Sequence, residues 1–111
     1  MDATNLVVLR GTITSDPRRR ELPSGGVVTQ LEITTRSESR TASVPVVVHD
    51  RPIEVGAGDE VVVTGHVHRR FFRAGGVTQS RTEVVAESVL RSTRIRSIER
   101  ALVAVARAVA P

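Results

Sequence analysis

The chain contains no cysteine, which excludes disulfides and thiolate metal sites and leaves its redox compartment open. Tryptophan and tyrosine are absent too, and only two Phe, Phe71 and Phe72, stand in for the large aromatics. Any core must therefore be aliphatic. Lysine is also missing, so all sixteen basic residues are arginine, a bias that together with abundant Ala and Val reads as the imprint of a GC-rich genome. Its physical consequence is a supply of planar, bidentate, stacking cations suited to phosphates and bases. No apolar run approaches the ~20 residues that span a bilayer. The start, Met1-Asp2-Ala3-Thr4, lacks the charged and apolar regions of a signal peptide. Cytoplasm is the expected location.

What is present suits one small domain. At 111 residues, 40% hydrophobic and 25% charged, the chain can build one modest core. The net charge of +4 is unevenly placed. Residues 1–90 carry 11 Arg against 11 acids, whereas residues 91–111 carry five Arg against Glu99 alone. The body of the chain is neutral, and charge by itself does not make it a nucleic-acid binder.

Five stretches have the β-branched or alternating character of strands: Asn5–Ser15, Val27–Arg36, Ser43–His49, Glu60–Phe72 and Thr78–Leu90. Gly- and Pro-rich turns separate them at Pro23-Ser24-Gly25-Gly26, Gly56-Ala57-Gly58-Asp59 and Ala74-Gly75-Gly76. Short strands with such turns and no long helix between them point to an all-β barrel or sandwich. Pro45 suits an edge or bulge in the third run. After residue 91 the period changes: Ile95, Ile98, Leu102, Val105 and Val109 form a helical seam, with Arg94, Arg96, Glu99, Arg100 and Arg107 on the other face. The spacing predicts an amphipathic helix over Thr93–Ala110. It can dock on its own barrel, pair with the same helix of another subunit, or bind membrane or nucleic acid.

The ordered blocks Asn5-Leu6-Val7-Val8-Leu9-Arg10-Gly11, Asp16-Pro17, Arg20 and Pro23-Ser24-Gly25-Gly26 resemble the opening of bacterial single-stranded DNA-binding proteins. Val44–Val48, the Gly58–Gly65 turn and strand, and Thr82-Glu83-Val84-Val85-Ala86-Glu87 resemble later strands of the same family. The likeness covers residues 5–90. It implies a five-stranded OB-fold barrel over residues 1–90, with residues 91–111 as a basic amphipathic C-terminal helix. It also implies a dimer or tetramer. Where such proteins continue into a flexible linker and an acidic tip that recruits repair and replication partners, this sequence has the basic helix. That departure implies a specialised relative rather than a general replication protein.

The resemblance implies single-stranded DNA as partner, held by stacked bases and cations. Ser43, His49 and roughly Ser39 replace aromatics of the family, and Phe72 alone falls on a stacking position. Strand parity sets Val61, Val63, Val67 and Phe71 on one side, the expected core. Thr64, His66, His68, Arg70 and Phe72 share the other, and a bulge at Gly65 would flip this and expose Phe71. The expected interface is thus Phe72 and His49 for stacking, His68 beside them, and Arg36, Arg40, Arg51, Arg70 and Arg73 for phosphates. Packing beneath a loop is the competing reading for Phe72, and a half-exposed strand end for His49. Arg18-Arg19-Arg20 reads as a basic turn, either solvated or touching phosphate. RNA shares the required chemistry.

No nucleophile elbow, phosphate-binding loop or carboxylate pair occurs, so no catalytic residue and no cofactor are expected. His66 and His68 lack a third ligand, and no metal is expected. The competing function is a protein-assembly module, as in the small primosomal OB proteins that resemble this family, with little nucleic-acid affinity.

Overall fold

The computed structural model describes residues 3–110. Met1, Asp2 and Pro111, which belong to the spans expected above, lie outside the described residues. The chain forms β1 (Val7–Ile13), β2 (Arg18–Glu21), β3 (Val27–Ser37), β4 (Arg40–His49), β5 (Glu60–Ala74), β6 (Val77–Arg91) and α1 (Ile95–Val109). The strands follow the order β1-β5-β6-β4-β3-β2, and a β1–β3 pairing at Thr12↔Thr34 and Ile13↔Ile33 closes five of them into a barrel. This is an OB fold with a C-terminal helix.

β2 is a correction. The Arg18–Arg20 segment is not a turn but a short strand, with Arg18 opposite Gln30 and Arg20 opposite Val28. It runs along the same edge of β3 as β1, beyond the break at Asp16-Pro17. All four of its residues are charged and exposed, so no apolar alternation announces it. Main-chain pairing alone builds this strand.

The core is aliphatic, as the missing aromatics require. Ile13, Leu31, Ile33, Val46, Val48, Val61, Val63, Val84 and Ala86 form one buried cluster. Two glycines sit where strands cross too closely for a side chain. A Cβ on Gly11 would lie 2.4 Å from the Thr34 carbonyl oxygen, and one on Gly65 would lie 2.1 Å from that of Val85. At Gly65 the β5–β6 ladder slips: Thr64 pairs with Ser88 and Gly65 with Ala86, leaving Glu87 as the extra residue of a bulge on β6. Where β1 ends opposite Gly65, the Asn5 side chain continues the edge. Its amide accepts from Val67 N and donates to Val67 O. Pro45 lies in β4 just before β6 joins that strand at Val46, so one side of β4 is open there.

α1 packs on β5 and β6. Ile98, Ala101 and Val105 are half-buried, while Ile95, Leu102, Val103 and Val109 stay exposed. The helix therefore docks on its own barrel with only part of its apolar seam. No described helix is long and apolar enough to cross a membrane.

Candidate nucleic-acid interface

Beyond Val67 and Val84 the β5–β6 hairpin leaves the barrel and projects alone, paired from His68↔Glu83 to Ala74↔Val77. This decides the fate of the two Phe residues. The parity expected for β5 holds, because the bulge residue lies on β6 and does not flip β5. The expected burial does not hold. Val67 is 42% and Phe71 66% exposed, since the inward side of the hairpin no longer meets a core. Phe72 is half-buried on the opposite side. Each ring has a guanidinium above it: Arg69 over Phe71 at 5.2 Å and Arg70 over Phe72 at 5.0 Å from the ring centre.

The Phe72 side of the hairpin is continuous with the outer face of β2, β3 and β4. Opposed pairs point the same way, so His68, Arg70 and Phe72 share their side with Glu83, Arg81 and Gln79. On the neighbouring strands Val28 opposes His49, Gln30 opposes Val47, and Arg20 opposes Val28. These residues enclose a recess of about 220 Å³ whose lining includes Arg20, Gln30, His49, His68, Arg70 and Glu83. Val28 and Val47, 4% and 5% exposed, form an apolar floor. His49 is held at the rim by the residue after it. Asp50 takes a left-handed conformation, φ 54°, which Asp tolerates, and its carboxylate accepts from Val27 N at 3.0 Å.

The structure thus brings together His49, His68, Arg70 and Phe72 of the expected set. The arginines divide. Arg70 Nε donates to Glu83 Oε1 at 3.0 Å, which orients the guanidinium and leaves four of its five donors free. Arg73 donates to Gly76 O at 2.7 Å within its own hairpin and lies on the Phe71 side, away from the recess. Arg51 donates to the carbonyls of Ala86 and Glu87 and so satisfies the main chain at the β6 bulge. Its guanidinium is thus engaged at the bulge, outside the lining of the recess. Arg36 and Arg40 are exposed at the far end of the β3–β4 hairpin, and Arg36 lines a different depression with Arg10, Thr12 and Glu60. Neither belongs to the recess.

Sequence reasoning missed Gln30, Arg81 and above all Glu83 as parts of this face, and left Arg20 open between solvent and phosphate. Glu83 follows a stretch, Val61 to Thr82, that holds four Arg and no acid, so the local sequence reads as purely basic. The signal available was its strand parity, odd on β6 like Arg81 and opposite to the core residue Val84. Among the described residues no group of three His, Cys, Asp or Glu could hold a metal.

Comparison with curated proteins gives no match. Among solved structures the fold is similar to a chain described as "Plasmodium falciparum SSB complex with ssDNA", with a TM-score of 0.68 and 20% identity over 82% of this chain and 97% of that one. At that identity the likeness speaks for the fold. The profile of the "Single-strand binding protein family" matches residues 4–92, from the Asn5 edge cap to the end of β6. Barrel, hairpin and profile agree, and the chain belongs to the single-strand binding protein family.

Proposed function

We propose that this chain is a non-catalytic, largely sequence-independent binder of single-stranded DNA. The observation that carries the reading is the single continuous face joining the recess at His49 and His68 to Arg70 and Phe72 on the projecting hairpin. Stacking on the Phe72–Arg70 pair and the imidazoles supplies sequence-tolerant affinity, worth ~1–3 kcal/mol per base on a ring. Arg70, with Arg20 beside it, supplies the cations. One of the exposed Arg36 and Arg40 receives the strand where it leaves this face. The family assignment and the similarity to a chain described in complex with single-stranded DNA support the same reading.

The chain works as a homo-oligomer in this reading, a dimer or tetramer, because α1 leaves Ile95, Leu102 and Val109 uncovered along one stripe. Sedimentation at several concentrations tests that part. Titration of a labelled single-stranded oligonucleotide at low salt, against RNA and duplex of the same sequence, tests the binding. Absence of binding at low salt sinks it. One observation favours the assembly-module reading: Arg51 and Arg73 are engaged with main-chain carbonyls, and Arg70 shares its charge with Glu83. Capture of a protein partner with negligible oligonucleotide affinity would decide for that alternative.

A further inference from the structure

Glu83 is the anomaly of this face. Its side chain is only 4% exposed, yet it stands among groups suited to a polyanion. One carboxylate oxygen, Oε1, accepts from Arg70. The other, Oε2, is buried and has no hydrogen-bond partner; Arg81 Nε approaches it at 3.8 Å, close enough for attraction and too far for a bond. A buried acceptor without a donor is costly, so the folded chain holds an unspent acceptor on a residue that lines the recess.

The surroundings define what could use it. The recess is smaller than the roughly 300–1,000 Å³ of sites for drug-sized ligands, and its apolar floor suits one flat heterocycle. A carboxylate repels phosphate and welcomes an N–H donor, such as the exocyclic amine of a base. Arg70 and Arg20 line the same recess and offer only donors; Gln30 offers an amide of either polarity. An acceptor flanked by donors complements an edge that presents an amine followed by ring and carbonyl acceptors. Cytosine has that edge. Thymine presents a carbonyl where cytosine has the amine, and its single ring N–H meets the carboxylate only by giving up the match of ring and carbonyl acceptors to the flanking donors.

We infer that this recess is a base-selective subsite of the single-strand interface, taking one cytosine in preference to thymine as the Glu83 side chain turns Oε2 toward the N4 amine. The inference rests on the DNA-binding reading above and adds a preference to it. Phe72 and the arginines supply affinity for any strand, and Glu83 decides which base enters the recess.

The test compares short homo-oligomers of deoxycytidine, deoxythymidine and N4,N4-dimethyldeoxycytidine on the full chain. It uses fluorescence anisotropy at fixed low salt, in mildly alkaline buffer that keeps cytosine unprotonated. Deoxycytidine is expected to bind about tenfold more tightly than deoxythymidine, within the range of one good base contact. The dimethylated oligomer, with no amine hydrogen to give, should fall to the thymidine level. Glu83→Gln, whose amide can also donate to a carbonyl, should narrow the cytidine-to-thymidine ratio to about twofold or less. The two unmodified oligomers binding the wild-type chain alike, or the dimethylated one binding like deoxycytidine, overturns the subsite and leaves DNA binding standing. If no oligomer binds, both readings fall. The wild-type comparison needs no mutant to fold.

Discussion

Replacing each phenylalanine in turn tests which side of the hairpin carries the strand. Phe72→Ala removes a stacking platform worth ~1–3 kcal/mol per base. It also removes the ring beneath Arg70, 5.0 Å from the guanidinium, an arrangement worth ~0.5–1 kcal/mol at an exposed site. Glu83 still holds Arg70 at Nε, so that second loss is partial. Together they come to about 2 kcal/mol, or about thirtyfold in affinity. Phe71→Ala removes a more exposed ring from the opposite side of the same hairpin, away from the recess, and should change affinity by less than about twofold. The assay is anisotropy of a labelled mixed-sequence oligonucleotide at low salt, with thermal unfolding of both variants to confirm an intact barrel. If Phe71→Ala weakens binding more than Phe72→Ala, the strand runs along the other side and the interface is misplaced. If neither changes it, stacking on this hairpin is not how the chain binds.

Three further substitutions probe the scaffold beneath that face. Gly65→Ala would place a methyl 2.1 Å from Val85 O at the β5–β6 bulge; the strands must part, and a loss of about 3 kcal/mol should appear in the urea midpoint. Arg51→Leu strips donors from Ala86 O and Glu87 O and should lower stability by about 1 kcal/mol. It should leave the salt dependence of DNA binding unchanged. Asp59 is held below its ordinary value of 3.8, first by the Gly56 N–H donating to its carboxylate, opposed by desolvation and helped by Arg91. A depressed carboxylate stabilises the fold above the unfolded-state value and ceases to do so as pH falls through the folded-state value. The urea midpoint of Asp59→Asn should therefore trail wild type at neutral pH and converge with it below about pH 4. A gap that persists into strong acid would contradict this.

Much of the fold was legible because its causes are local. Leu31 and Ile33 alternate with polar residues along β3, β4 is a β-branched run, glycines mark the turns, and the apolar period changes from two to three-and-a-half at Ile95. β2 was not legible, because four charged residues carry no sign of the main-chain pairing that makes them a strand. The exposure of Phe71 was misread for a different reason. Parity says which side a residue faces, and the length of the barrel, which ends near Val67, decides whether anything lies there. Glu83 and Arg70 are thirteen positions apart in sequence, and only the register of the hairpin makes them partners.

The arginines show why composition alone misjudges such an interface. Had Arg36, Arg40, Arg51, Arg70 and Arg73 each neutralised a phosphate, affinity would fall with salt at a slope near −3.5, about −0.7 for each. Three of those side chains already have work within the fold: Arg51 on the bulge carbonyls, Arg73 on Gly76 O, and Arg70 against Glu83. Of these only Arg70 keeps both its place on the recess face and free donors. The slope should therefore be about −2, from Arg70, Arg36 or Arg40, and Arg20 of β2. Arg20→Gln should make it shallower by about 0.7, whereas Arg73→Gln should not move it. A slope near −3.5 would mean that Arg51 and Arg73 also reach phosphates, away from the recess face. The strand would then run past the hairpin end and the bulge, rather than settle on the recess face alone.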